Sequence, residues 1–313
     1  MTRLFFATDI HGSEICWKKF IAAGKFYDVD VLILGGDMSG KAIVPIVHLG
    51  GDRYRAVLLE HETVLQGADE VEEMERRIRS RGYYPYRTTP DEMDALRSDP
   101  GRVEQLFVRE VLATAERWLA YADERLEGTG IRCYVSPGND DLFQLDDLIR
   151  GSRHVQLAEG RVIHLDERHE LVSSGWTNPT PWHTYREESE EQLRARLDAM
   201  ISQVREPAGG VFNLHAPPHA STLDDAPELS ASLQPKRAGN CVVPVGSRSV
   251  RAVIEEHQPL LALCGHIHEA RGAVRIGRTL CINPGSVYEQ GRLLGAVVTL
   301  SPGKVQNYVL TTG

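Results

Sequence analysis

The sequence predicts an α/β fold: a four-layer α/β/β/α sandwich of two mixed sheets flanked by helices, with a mainly helical insertion. Three observations carry this. Short apolar runs recur and end in polar or glycine residues, and helical patterns fall between them. The carboxyl end instead reads as consecutive strands joined by short turns.

The apolar runs at residues 4–7, 31–34, 131–135, 171–173, 211–214 and 260–264 have the length of strands buried in a sheet. Helical periodicity covers 13–24, 189–205 and 247–257. Residues 273–276, 279–282, 296–300 and 305–310 complete the strand-rich end. Residues 43–130 interrupt the alternation within what otherwise reads as a single domain over 1–313. In that insertion, 43–49 and 54–59 suit a hairpin around Gly50-Gly51-Asp52, and the charged stretch 69–81 has helical character. A long amphipathic segment, 103–126, follows the breaker Asp99-Pro100-Gly101. A solvated helical insertion and a substrate-facing cap both fit this pattern.

Composition narrows the function classes. Hydrophobic residues make up 42% and charged residues 25%, the balance of an ordinary globular protein. With 35 Lys and Arg against 44 Asp and Glu, the net charge is −9, which argues against broad binding to nucleic-acid backbone. Five scattered cysteines without a CxxC pair argue against a disulfide framework or a Cys-based zinc site. The first eight residues read as a strand rather than a signal peptide, and no apolar run reaches transmembrane length. The expectation is a cytoplasmic protein with no membrane partner.

The chemistry sits at the strand ends. The first strand runs into Asp9-Ile10-His11-Gly12, and residues two apart on a strand share a side, so both donors reach one crevice. The second is followed by Gly35-Gly36-Asp37, whose glycines allow a tight turn that sets a carboxylate at the same edge. Gly138-Asn139-Asp140-Asp141 follows the 131–135 strand, and His215 ends the 211–214 strand. Gly265-His266-Ile267-His268 follows the 260–264 strand. Taken singly, each has a structural explanation: a helix cap, a turn Asp, a left-handed Asn. Five successive strands all ending in a potential ligand make that explanation improbable as a set. Oxygen and imidazole donors suit manganese, iron or zinc, and seven of them suit two metals with a bridging carboxylate.

This ordered set resembles the calcineurin-like metallophosphoesterase superfamily over most of the chain, from Asp9 to His268. The resemblance implies that Asp9, His11 and His268 bind one metal and Asn139, His215 and His266 the other, with Asp37 bridging. It implies two divalent ions, manganese first with iron or zinc as alternatives, and direct attack on phosphorus by a metal-bridging hydroxide. Asp37, Asn139, Asp140 and Asp141 then form the catalytic group.

One position departs from the family. Where many members have Gly-Asn-His before the final acid, this chain has Gly138-Asn139-Asp140. That His is thought to assist the leaving group, and two nearby cations would keep Asp140 ionised and a poor acid. Either another group such as His219 or His183 supplies the proton, or the substrates need little help. Asp141 matches the final acidic position, where it would orient its neighbours.

Around this set, residues 175–182 include Trp176 and Trp182 and could form a wall for a flat group; packing of the Trp residues on the core fits as well. His219 follows the ligand His215 by four residues, within reach of substrate or simply on a solvated loop. Asn283-Pro284-Gly285-Ser286 resembles a turn found in bacterial members of the superfamily and could support the metal loops. Arg53, Tyr54, Arg55 and the run from Tyr83 to Arg87 could meet a phosphate or a ring, though surface solvation explains them equally. The expectation is a phosphodiesterase acting on a small molecule or nucleotide. A nuclease and a non-catalytic metal-binding regulator are the alternatives.

Overall fold

The computed structural model describes residues 1–230, 232–236 and 241–313. The chain begins with β1 (Thr2–Ala7), α1 (Glu14–Phe26) and β2 (Val31–Leu34). The interrupting segment follows as β3 (Ile43–Gly50), β4 (Arg53–Leu58), β5 (His61–Gln66), α2 (Gly67–Ser80), β6 (Tyr84–Thr88), α3 (Pro90–Ser98) and α4 (Pro100–Leu126). Then come β7 (Arg132–Val135), α5 (Gln144–Gly151), β8 (Val155–Leu157), β9 (Val162–His164), β10 (Glu170–Ser174), α6 (Glu190–Ile201) and β11 (Val211–Leu214). The short pair β12 (Asp225–Pro227) and β13 (Val242–Pro244) precedes α7 (Arg248–His257) and β14 (Leu261–Leu263). The chain ends in β15 (Gly272–Ile276), β16 (Thr279–Asn283), β17 (Leu294–Ser301) and β18 (Lys304–Thr312).

Two six-stranded mixed sheets carry the molecule. The first has the order β18-β17-β1-β2-β7-β8, and the second β15-β16-β14-β11-β10-β9. The strands β1, β2, β7 and β8 run parallel, as do β10, β11, β14 and β16. Antiparallel strands close one edge of the first sheet and both edges of the second.

Strand alternation builds the layers. Leu4 and Phe6 of β1 point to the same core as Val31, Ile33, Leu261, Leu263, Leu280 and Ile282, so that core lies between the sheets. Phe5, Ala7, Leu32 and Leu34 point the other way, into a core with Trp17 and Phe20 of α1, Trp118 of α4 and Ile149 of α5. On the far side, Phe212, Ala262 and Cys281 pack with Leu193 and Leu197 of α6 and Val250 and Ile254 of α7. The expected α/β/β/α sandwich is the observed one. Strands buried on both faces explain why the runs are continuously apolar rather than alternating.

Helix starts follow local chemistry. The breaker at Asp99-Pro100-Gly101 is the start of α4: Asp99 accepts from the Gly101 backbone N–H at 3.0 Å, and Pro100 occupies the first turn, where its missing N–H costs nothing. Ser189 and Gln192 form a reciprocal capping box on α6.

The 43–130 segment holds α2 and α4 where its helical stretches fall, a further short helix α3 that its sequence does not announce, and a four-stranded sheet ordered β5-β4-β3-β6. The hairpin β3–β4 falls where the Gly50-Gly51-Asp52 turn places it. Strands β5 and β6 are not apparent from the sequence, because His61-Glu62-Thr63 reads as polar surface and Pro85 argues against a strand. Edge positions in the sheet accommodate both. Its core of Val44, Ile46, Ala56, Leu58 and Leu65 packs on Val71, Met74 and Ile78 of α2. The turn after α2 reaches the main body, where Ser13 Oγ donates to the Ser80 carbonyl at 2.7 Å. No helix among the described residues is long and apolar enough to cross a membrane. All five cysteines are free thiols, four of them buried.

Candidate metal centre

Five parallel strands from both sheets deliver polar side chains to one place. The loops after β1, β2 and β7 bring Asp9, His11, Asp37 and Asn139; those after β11 and β14 bring His215, His266 and His268. Two groups of donors converge, each with its ligand atoms within 4.8 Å of one another: Asp9, His11 and His268, and Asp37, His215 and His266. A third, overlapping group joins His11 and Asp37 to Asp140.

The spacing is that of donors around a cation rather than of hydrogen-bonded pairs. His268 Nε2 stands 3.4 Å from Asp9 Oδ1, and His215 Nε2 stands 3.4 Å from Asp37 Oδ2. His11 Nε2 lies 3.6 Å from Asp37 Oδ2. Donors that share a cation at about 2.1 Å sit roughly 3.0–3.5 Å apart. His11 Nε2 and His268 Nε2 face each other at 3.0 Å, where at most one can donate a hydrogen. Asn139 Oδ1 and His215 Nε2 are buried without a hydrogen-bond partner. Orphaned acceptors of this kind are costly unless something binds them. The residues fit a pair of divalent metals.

The backbone is strained at the same residues. Asp9 (φ 53°), His11 (φ 36°), Asp37 (φ 52°) and His266 (φ 66°) all adopt left-handed conformations. Such residues each cost about 1–3 kcal/mol and gather at functional sites. Two motif glycines have a different reason, close approach. A Cβ on Gly138 would stand 2.1 Å from Asp37 Oδ1, and one on Gly265 would stand 2.3 Å from Asp9 Oδ2.

Supporting contacts orient the donors. His215 Nδ1 lies 3.1 Å from the Gly35 carbonyl, so the proton belongs on Nδ1 and Nε2 is left to bind. Asp9 accepts from Thr8 Oγ1 at 2.7 Å, and Asp37 Oδ1 from the Asp140 backbone N–H at 3.0 Å. Burial, first of all, pushes His11 down to about 3 and His266 down to about 4, holding both in the neutral form that ligates. Burial works against a charge on His215, yet Asp37 and Asp9 outweigh it and raise His215 to about 9, so a cation that binds Nε2 takes the place of a proton there.

Asp141 is completely buried and stands outside the three groups of candidate ligands. Its carboxylate accepts the backbone N–H groups of Met38 (3.0 Å), Ser39 (2.8 Å) and Gly138 (2.8 Å), locking the loop after β2 to the loop after β7. Asp140 faces the crevice, with Oδ2 at 4.0 Å from His11 Nδ1 and 3.1 Å from Lys41 Nζ. Burial, then Asp37, pushes its carboxyl up to about 6, while Lys41 pulls the other way. Divalent cations beside Asp37 would reinforce Lys41.

The remaining candidates lie further out. Trp176 is half-buried, its ring under the Arg196 guanidinium at 4.0 Å and 6.1 Å from the Phe143 ring. Trp182 of the same loop is 62% exposed. His219 stands 3.7 Å from Asp224, outside the donor groups. The 283–286 turn does reach the centre: Ser286 Oγ donates to the Asp9 carbonyl at 2.6 Å, and Asn283 Nδ2 to the Ile267 carbonyl at 2.9 Å.

Three residues went unnoticed in the sequence. Lys41 is four positions beyond Asp37, close enough to have drawn attention. Arg186, fully buried, donates to the carbonyls of Gly138 and Asp141 and pairs with Asp146, clamping the Asn139 loop. Tyr288 packs its ring 4.9 Å from His11 and 5.9 Å from His268. Neither Arg186 nor Tyr288 sits in a pattern that would single it out.

No family model matches the chain. An uncharacterized protein of Methanocaldococcus jannaschii is 30% identical over 151 residues, covering 47% of this chain and 61% of that protein. The chain thus matches less than two thirds of its curated relative's length. Among solved structures, a protein of Thermus thermophilus superposes with a TM-score of 0.50 at 12% identity, covering 100% of this chain and 98% of the other. Another crystal structure gives 0.52 at 14% identity, with 94% of both chains covered. The α/β/β/α fold is therefore shared with known proteins.

Proposed function

We propose that this chain is a two-metal phosphoesterase that hydrolyses phosphodiesters of small molecules or nucleotides. One observation carries the reading: six donors converge from both sheets in two clusters of cation-sized spacing, and Asn139 Oδ1 and His215 Nε2 are buried acceptors without a hydrogen-bond partner.

Asp9, His11 and His268 would hold one ion and Asn139, His215 and His266 the other, with Asp37 between them. When bound, such a pair polarises a phosphoryl oxygen and activates the attacking water. The chain's own residues do the rest. Neutral His11 and His266 present lone pairs, and His215 is held in one tautomer by Gly35. The Asp141 tie keeps the loops of Asp37 and Asn139 in register, so the donors need not reorganise during turnover. Manganese is the first expectation, with iron or zinc as alternatives.

The test is metal analysis of the purified protein with hydrolysis of bis-p-nitrophenyl phosphate across manganese, iron and zinc. Two ions per chain and metal-dependent release of nitrophenol are expected. No bound metal and no hydrolysis with any ion would overturn the reading in favour of a non-catalytic role.

A further inference from the structure

We propose that the Lys41–Asp140 ion pair sets the substrate charge this site accepts: Lys41 engages the single anionic oxygen of a phosphodiester, and Asp140 repels the second charge of a monoester. The inference rests on the phosphoesterase reading and adds a basis for diester preference that the donor set alone does not contain.

The position of the pair supports it. Lys41 Nζ lies 3.1 Å from Asp140 Oδ2, and that oxygen is 4.0 Å from His11 Nδ1. The side chains of Asp9, His11, Asp37 and His215 are almost wholly buried, whereas Asp140 is 22%, His268 25% and Lys41 50% exposed, so the pair stands with His268 on the open side of the crevice.

A surface ion pair is ordinarily worth little and wanders among rotamers. Here both backbones are pinned. On Lys41's side, the Met38 and Ser39 amides donate to Asp141, and the Gly40 amide donates to Tyr84 Oη at 2.7 Å. On the other, the Asp140 amide donates to Asp37 Oδ1 and Arg186 clamps the flanking carbonyls. Preorganisation of this order is what a specificity element needs.

The charge argument follows from the pairing. A lone cation would favour a dianion over a monoanion. Pairing cancels that bias, and a substrate oxygen brought to Lys41 also comes near the Asp140 carboxylate. A monoester dianion brings a further charge into this field, and repulsion between two unit charges 4–5 Å apart, about the length of a hydrogen-bonded contact and a bond, opposes its binding in partly wet surroundings. Selection by repulsion is a recognised route to specificity.

Two substrates with the same leaving group isolate the effect: bis-p-nitrophenyl phosphate, a monoanion, and p-nitrophenyl phosphate, a dianion at pH 8. For wild type, Asp140→Asn, Lys41→Met and Lys41→Arg, kcat and KM are measured with manganese content. Calorimetric binding of inorganic phosphate and of dimethyl phosphate is measured alongside. Asp140→Asn should raise the monoester-to-diester ratio of kcat/KM about tenfold or more, and tighten phosphate relative to dimethyl phosphate by a similar factor. Lys41→Met should raise KM for the diester about tenfold, and Lys41→Arg should recover most of the loss. The inference is overturned if the wild type turns over but Asp140→Asn leaves both ratios within twofold. The binding ratio decides by itself should that variant lose activity. A wild type inactive with every ion defeats the phosphoesterase reading, a separate result.

Discussion

The carboxylate of Asp9 accepts the backbone N–H of His266 at 3.0 Å, joining the end of the first strand of one sheet to the loop leaving the other. Asp9 thus does two jobs. It belongs to one of the two candidate donor groups and ties the loops of the two sheets together there. His215 and His268 lower its carboxyl, against the opposing effect of burial, which keeps it ionised.

Asp9→Asn keeps an acceptor oxygen for the His266 amide but removes the charge. The protein should still fold, bind close to one manganese rather than two, and lose about 100-fold or more in hydrolysis. Metal analysis with a thermal melt checks this. Two retained ions at full occupancy would show that Asp9 is not a ligand.

Gly138→Ala places a methyl group where Asp37 Oδ1 now lies. Either the loop or the carboxylate has to move. Overpacking of this kind costs about 1–3 kcal/mol, and metal affinity should fall about 10–100-fold because a supporting position has been disturbed. Calorimetric manganese titration and urea unfolding separate the two effects. A wild-type affinity would mean that Asp37 does not bridge.

Asp141→Ala leaves three buried amides without their acceptor. An unsatisfied buried group costs about 1–3 kcal/mol, so the loss should exceed about 2 kcal/mol, with Asp141→Asn falling between it and wild type. Equilibrium unfolding measures both. Equal stability of all three proteins would contradict the tie described for the β2 and β7 loops.

Glu159 gives a pH prediction away from the metals. It accepts from the Gly175 amide at 2.6 Å and from Ser136 Oγ at 3.0 Å, and burial pushes its carboxyl from 4.5 up to about 7. The folded form therefore holds a proton that the unfolded chain has released between those values. Its contribution is complete below pH 4.5 and declines as pH rises toward 7. Glu159→Gln, which cannot ionise, should gain stability relative to wild type between about pH 5 and pH 8. Urea unfolding at the two values tests it, and a difference independent of pH would refute the shift.

Much of the fold was legible because doubly buried parallel strands have to be short, apolar and closed by turn formers. The runs at 31–34 and 211–214 coincide with β2 and β11 to the residue. The short strands β8 and β9 were not, because Val155-Gln156-Leu157 and Val162-Ile163-His164 lack the continuous apolar run that marks β14 at equal length. In the inserted segment, β5 and β6 are polar or contain Pro85 and gain their pairing only from β4 and β3.

At the centre, the candidate donors and their places after strands can be read from the residues alone, because ligating chemistry needs particular side chains and strand ends need particular turns. Which of them meet depends on the packing of the two sheets. It set His215 opposite Asp37 and His268 opposite Asp9, residues far apart in the chain. It also set Lys41 against Asp140 and Arg186 beneath Asn139's loop. The reason is physical: local sequence governs turns and periodicity, whereas convergence depends on how two twisted sheets pack, and that is settled by the whole core at once.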